Sequence, residues 1–409
     1  MANPYRELFS APGSLAFTLT GFVARLPAAM AGIGLITMVS QSHGSYGLAG
    51  AVSATFTVST ALLGPQVSRL VDRVGQRRVI LPTALVSAAA LVALLLCVRA
   101  DAPLWTLFVL AAVAGCLPNM SAMVRARWTE IYRESPRLHT AYSFESVVDE
   151  LTFVIGPALA VSLSTMAFPE AGPMVAAALL AVGVVLFSFQ RSTEPEVRDH
   201  RESRDGATMR VGALVLLVST LLAGGVIVGT VDVVSVAFAD HLGNTASAGV
   251  VVSVYAVGSA LSGLVVGALR ISVPLPRLLV LFVAGTAVTT LPLLLVTGVV
   301  GLSATVFLAG VFFAPTMITI MGLVERIVPA ARLTEGMTWV ITGLSAGVAL
   351  GAAVSGRAVD AFGPRGGFVV AVAAGALALA LALVGQGVLA RSMRGAEASR
   401  QEVAVADRG

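Results

Sequence analysis

The chain has 409 residues, of which 57% are hydrophobic and only 12% charged, and its mean hydropathy is +0.91. Soluble chains carry about 25% charged residues; here the charges collect in short clusters between apolar runs of about 20 residues, each able to cross a hydrocarbon core of about 30 Å as a helix. That excludes a soluble enzyme, a nucleic-acid-binding module and a disordered protein. The apolar runs show no period-2 alternation, which excludes an outer-membrane barrel.

In chain order the apolar runs predict twelve helical spans, near 14–40, 46–67, 79–99, 103–124, 142–167, 171–190, 211–238, 246–269, 277–298, 300–323, 335–358 and 365–390. All 26 basic residues are arginine, and placing the N-terminus in the cytoplasm puts 22 of them on the inner side. Only Arg99, Arg357 and Arg365 then fall outside, while Arg25 lies within the first span. By the positive-inside rule both ends are cytoplasmic. The first run is full length and lacks a small-residue cleavage context, so it is expected to stay as a helix. Cys97 and Cys116 lie inside apolar runs and read as small core residues. No metal or cofactor is expected.

The polar stretch from Arg191 to Arg210 divides the chain. It suggests an N-terminal six-helix bundle (1–190), a cytoplasmic linker (191–210), a C-terminal six-helix bundle (211–390) and a cytoplasmic tail (391–409). Spans two and eight align at an offset of 199 through Ala49–Ala248, Gly50–Gly249, Gly64–Gly263 and Leu70–Leu269. Spans five and eleven align at 195 through Arg137–Arg332, Leu138–Leu333 and Gly156–Gly351. Such a duplication suits alternating access around a central cavity.

The loop after span two reads Ser68-Arg69-Leu70-Val71-Asp72-Arg73-Val74-Gly75-Gln76-Arg77-Arg78. It resembles the major facilitator superfamily's signature between its second and third helices. Asp72, Arg73, Gly75, Arg77 and Arg78 sit where that pattern wants them, and Ser68 replaces its leading glycine. The resemblance implies an all-α membrane protein of twelve transmembrane helices in two pseudo-symmetric six-helix bundles, the major facilitator fold. It also implies a gating role for the turn, with Asp72 as a latch. Gly356 to Gly363, after span eleven, echoes the motif faintly as an outer loop, and Ile271 stands where Asp72 aligns after span eight. Gly156-Pro157 in span five is similar to the core of the superfamily's exporter motif, a helix kink or a packing site. Span four departs from the antiporter pattern, since its arginine is absent and the buried arginine is Arg25 instead. The runs Ala24–Pro27, Arg125–Trp128 and Glu145–Leu159 resemble an actinobacterial, exporter-like group of the superfamily.

A charge inside the bilayer costs about 2.5–3.5 kcal/mol on the insertion scale, so each needs a cavity or a partner. Arg25 and Asp149 are expected at similar depths on neighbouring helices, with Glu145, Asp149, Thr152 and Gly156 on one stripe and Glu150 rotated off it. The pair is either a static lock or a titratable coupling site. Asp232, in the outer part of span seven, either snorkels or binds a cation or proton.

These readings point to secondary transport by alternating access, with proton-coupled export of a small organic compound as the expectation. The alternative is an importer or facilitator of a sugar or organic acid. No G-x-x-x-x-G-K-[ST] loop is present to supply ATP drive, and no nucleophile or metal constellation suggests an enzyme. The expected partners are a small-molecule substrate, protons and the lipid bilayer of a bacterial plasma membrane, without nucleic acid, and the chain is expected to act as a monomer. The topology is directly testable. Cysteines placed at Ser203 and Ser399 should resist an impermeant thiol reagent in intact cells, and one at Ser45 should react. Labelling at Ser203 from outside would reject the twelve-span arrangement.

Overall fold

The computed structural model describes residues 7–132, 135, 137–195, 211–268, 273–328 and 333–406. Positions 196–210 of the expected linker, 407–409 of the tail, and Leu269, Ile271 and Arg332 of the repeat comparison lie outside the described residues. Among the described residues every regular element is helical. The helices are α1 (Ser14–His43), α2 (Tyr46–Val74), α3 (Gln76–Arg99), α4 (Trp105–Ala114), α5 (Met120–Tyr132) and α6 (Arg137–Met166). They continue with α7 (Ala171–Ser188), α8 (Val211–His241), α9 (Ser247–Ala268), α10 (Leu275–Thr290), α11 (Val299–Ile327) and α12 (Leu333–Ala406).

Ten of these are long and apolar enough to cross a membrane. One of the ten, α12, holds two crossings, broken at Gly363 (φ 71°, ψ −176°) just before Pro364. The outer loop expected over Gly356–Gly363 is therefore helical up to that single break, and the tail beyond Arg391 continues the helix to Ala406.

The remaining crossing, expected as one run over 103–124, is split between α4 and α5. Pro118 lacks a backbone donor and biases Leu117 away from the helical region. The carbonyls freed at the end of α4 find partners on neighbouring helices: Ser59 Oγ donates to Ala112 O, and Ser87 Oγ donates to Ala114 O. Asn119 then restarts the helix as a side-chain cap, its Oδ1 accepting from Ala122 N at 3.1 Å.

The chain divides into two compact units, Met1–Arg201 with Ser235–Ser253, and Glu202–Val234 with Val254–Gly409. In the first, α1 is the central helix, packed on α2, α6 and α7. Gly183 of α7 lets the Ala24 backbone approach, and Gly156 of α6 meets the Ala29 methyl. Residues 235–253 join this unit where the Tyr46 hydroxyl donates to Asp240 Oδ2 at 3.0 Å and where Gly249 lies against Pro157 O. The core of the second unit includes Leu217, Leu279, Ile320, Leu323, Val340 and Leu389.

Large apolar side chains point outward, among them Val300 at 84% exposure and Met166 at 82%. In water each would forgo roughly 1.5–3 kcal/mol of burial; against acyl chains that loss disappears. The same solvent gives helices little hydrophobic reason to associate, so close approach of small residues takes over. Gly343, Gly347 and Gly351 of α12 repeat every fourth residue and face Val218, Leu222 and Val226 of α8. A side chain at Gly347 would fall on the Leu222 carbonyl, whereas Gly224 has only the end of Leu221 near it. Gly347→Ala should therefore lower stability in detergent by about 1–3 kcal/mol. Gly224→Ala should be neutral or stabilising by up to about 1 kcal/mol. Thermal unfolding followed by size-exclusion fluorescence separates the two.

Candidate functional site

Helix α1 is apolar around Arg25, which lies eleven residues after Ser14. Asp149 lies twelve residues after Arg137 in α6. At 1.5 Å per residue these rises are about 17 and 18 Å. The helix begins at Arg137, five residues before the expected start of span five, so the two groups meet at the same level without the long reach of an arginine.

Arg25 is 3% exposed and forks between two carboxylates. Its Nη2 donates to Glu145 Oε2 at 2.7 Å and its Nη1 to Asp149 Oδ1 at 2.9 Å. Asp149 is the hub. It also accepts from Arg125 Nη2 at 2.7 Å and from Ser121 Oγ at 2.6 Å, both on α5. Glu145 is fully buried and takes its second hydrogen bond, at 2.9 Å, from the indole of Trp128. Trp128 is itself walled in by Phe17, 4.7 Å away edge-on, and by Tyr132, stacked at 5.8 Å.

Two guanidiniums thus face two carboxylates, an arrangement neutral when all four are ionised. Glu150, next to Asp149, adds a third carboxylate, half-buried and without an ion pair among the described residues. The Nε of Arg25 is buried and has no hydrogen-bond partner among the described residues. The Thr152 hydroxyl bonds back to Val148 O, and Gly156 continues the stripe against α1. Helix α6 runs on through Pro157 without interruption.

The other expected residues lie apart from this network. Asp72 and Arg73 are exposed at the end of α2, with no ion pair among the described residues. Gly75 joins α2 to α3 at φ 99°, a conformation suited to glycine, and its N–H closes α2 on Val71 O at 2.8 Å. Arg77 receives Glu194 Oε1 on its backbone N–H at 2.9 Å, and Arg78 is exposed. Asp232, in α8, has no hydrogen bond or ion pair among the described residues.

A second buried arginine was not singled out by the sequence. Arg127, read there as one of the inner-side charges, is fully buried. It donates to the Gln76 side chain, to the carbonyls of Phe187 and Gln190, and to the Thr193 hydroxyl, and it lies 3.7 Å above the Phe187 ring. It ties the end of α7 and the first linker residues to the turn between α2 and α3. Its sequence neighbour Arg125 serves the other network, and only the helical register of α5 separates the two roles.

Solved structures with the same fold include a nucleoside transporter, NupG, at 14% identity, with a TM-score of 0.72 over 93% of this chain and 99% of that one. A peptide transporter, POT, crystallised with sulfate, is 16% identical, with a TM-score of 0.73 over 96% and 99% of the two chains. A bacterial homolog of the human lysosomal transporter Spinster, in an inward-facing and occupied conformation, is 14% identical, with a TM-score of 0.67 over 97% and 99%. These likenesses give the fold: twelve helices in two pseudo-symmetric bundles. No curated protein sequence matches significantly. The sequence profile of the Major Facilitator Superfamily matches residues 17–234 and again 216–402. With its membrane-spanning helices and this profile over most of its length, the chain belongs to the Major Facilitator Superfamily of membrane transporters.

Proposed function

We propose that the chain exports a small organic compound, a drug or secondary metabolite, across a bacterial plasma membrane by proton antiport. Both termini would be cytoplasmic, and residues 1–190 and 211–390 would rock about the substrate as a monomer. The observation that carries this reading is the sharing of Asp149 between Arg25 and Arg125, with Glu145 as a second, fully buried anchor for Arg25. A proton arriving on Asp149 would remove the one ion-pair partner that Arg125 has among the described residues and leave Arg25 on Glu145 alone. The change is local and electrostatic, and it alters what holds α5 to α6 and α1.

The polar inventory supports an apolar cargo. Asn119 is used as a helix cap, Gln76 accepts from Arg127 and donates to Met123 O, and Gln190 donates to Thr20 while its buried Oε1 has no partner among the described residues. A sugar site would need such amides free. A second reading, uptake of a polar nutrient, draws on the nucleoside and peptide transporters that share the fold. The direction of the proton-driven flux in vesicles separates the two.

An untargeted comparison of compounds retained by cells with and without the protein would supply the cargo for the coupling test. Arg25→Ala leaves Glu145 buried beside Trp128 alone, so it should cost about 3–5 kcal/mol of stability and abolish transport. Arg25→Leu combined with Glu145→Leu removes the buried pair and leaves Asp149 with Arg125 and Ser121. That double variant should fold, yet its transport should no longer respond to a pH gradient. Gradient-driven transport retained in the folded double variant would make the Arg25–Glu145 pair a structural lock and leave coupling to Asp149 with Arg125, or, failing those, to Asp232.

A further inference from the structure

The gating-motif turn and the start of the linker border an open cavity of about 650 Å³. Arg77 and Arg78 enter it from the first turn of α3, and Arg191 enters from the short helix that follows α7. Among the described residues Glu194 is the one acidic lining residue, and one of its oxygens accepts from the Arg77 backbone N–H. Three guanidiniums against one carboxylate leave an excess of two positive charges. None of the three arginine side chains has an ion pair among the described residues. That contrasts with Arg25, Arg99, Arg125 and Arg137, each of which is paired.

The cavity also has an apolar side, Leu81 and Pro82, one turn further along α3 within the apolar run of that helix. A fork of arginine donors beside an apolar wall, on a helix long and apolar enough to cross a membrane, matches one chemistry. Arginine recognises phosphate oxygens through paired N–H donors, and basic pockets between spanning helices hold anionic headgroups. We propose that this cavity binds a phosphate group, presented as the phosphodiester of an anionic phospholipid. A soluble phosphate would satisfy the arginines without using Leu81 and Pro82, which is why the lipid source is favoured. Because Arg77 and Arg78 lie in the gating motif and Arg191 in the linker, a bound headgroup would fasten the turn to the linker alongside the Glu194 and Arg127 contacts.

Native mass spectrometry of the purified full chain, with phosphatidylglycerol or phosphatidylcholine added at equal concentration, tests this. The intact protein should retain phosphatidylglycerol in preference by several-fold. Arg78→Gln combined with Arg191→Gln should reduce that preference at least tenfold, Arg78→Lys with Arg191→Lys should keep part of it, and Arg69→Gln, outside the cavity, should keep all of it. Both altered arginines are exposed, and size-exclusion fluorescence checks that each variant folds. Inorganic phosphate forms the second arm. If it raises the melting temperature of the intact protein but not of the glutamine variant, with no lipid preference, the phosphate site stands and the lipid source is overturned. Lipid retention and melting temperature both indifferent to the glutamine variant would overturn the site.

Discussion

A guanidinium eleven residues into an apolar helix cannot stand alone in a bilayer, and much of the first unit is arranged around that requirement. Arg25 needs two carboxylates, so α6 must present Glu145 and Asp149 on the face that meets α1. The close approach of those helices is secured by small residues, with Gly156 against Ala29 on one side and Gly183 against Ala24 on the other. Glu145 and Asp149 in turn require Trp128, Ser121 and Arg125, all on α5. One buried charge thus fixes the register of α5 and α6 against α1. A well-packed apolar replacement is often as stable as a buried ion pair, so stability alone does not explain why these charges are there.

The sequence reveals the apolar spans and the intramembrane charges, which depend on local apolar length and charge placement, but not the early start of α6 at Arg137 or the near-continuous helix through 356–363. It also places Arg25 and Asp149 at comparable depth, since rise per residue is a local quantity. It does not reveal Arg125 as a member of the network. An arginine one residue past an expected span end looks like any positive-inside charge until the start of α5 at Met120 is known. That start depends on Pro118 and on serines from α2 and α3 that accommodate the broken end of α4, which are contacts between distant segments. Arg127 was hidden for the same reason, because its partners Gln76, Phe187, Gln190 and Thr193 come together only in the fold.

Two arginines, one half-exposed and one fully buried, divide the labour of α5. Arg125 faces the carboxylates, and Arg127, two residues on, faces the end of α7 and the first linker residues. A shift or rotation of α5 would strain both sets of contacts together. This gives a physical route from the protonation of a carboxylate to the turn that carries the gating motif, through Gln76 and the Glu194 bond to Arg77. The broken span makes such a movement less costly than in a continuous helix, because the residues between α4 and α5 already lie outside any helical ladder.

The central claim is that the carboxylates bonded to Arg25 exchange protons during transport. Infrared difference spectroscopy of the carboxyl C=O stretch, on the protein in lipid as the buffer is taken from alkaline to acid, observes that exchange directly. The account predicts a protonated-carboxyl band that grows on acidification and is lost or shifted in Glu145→Gln or Asp149→Asn. A band unchanged by both substitutions, in variants that still transport under a pH gradient, would contradict it.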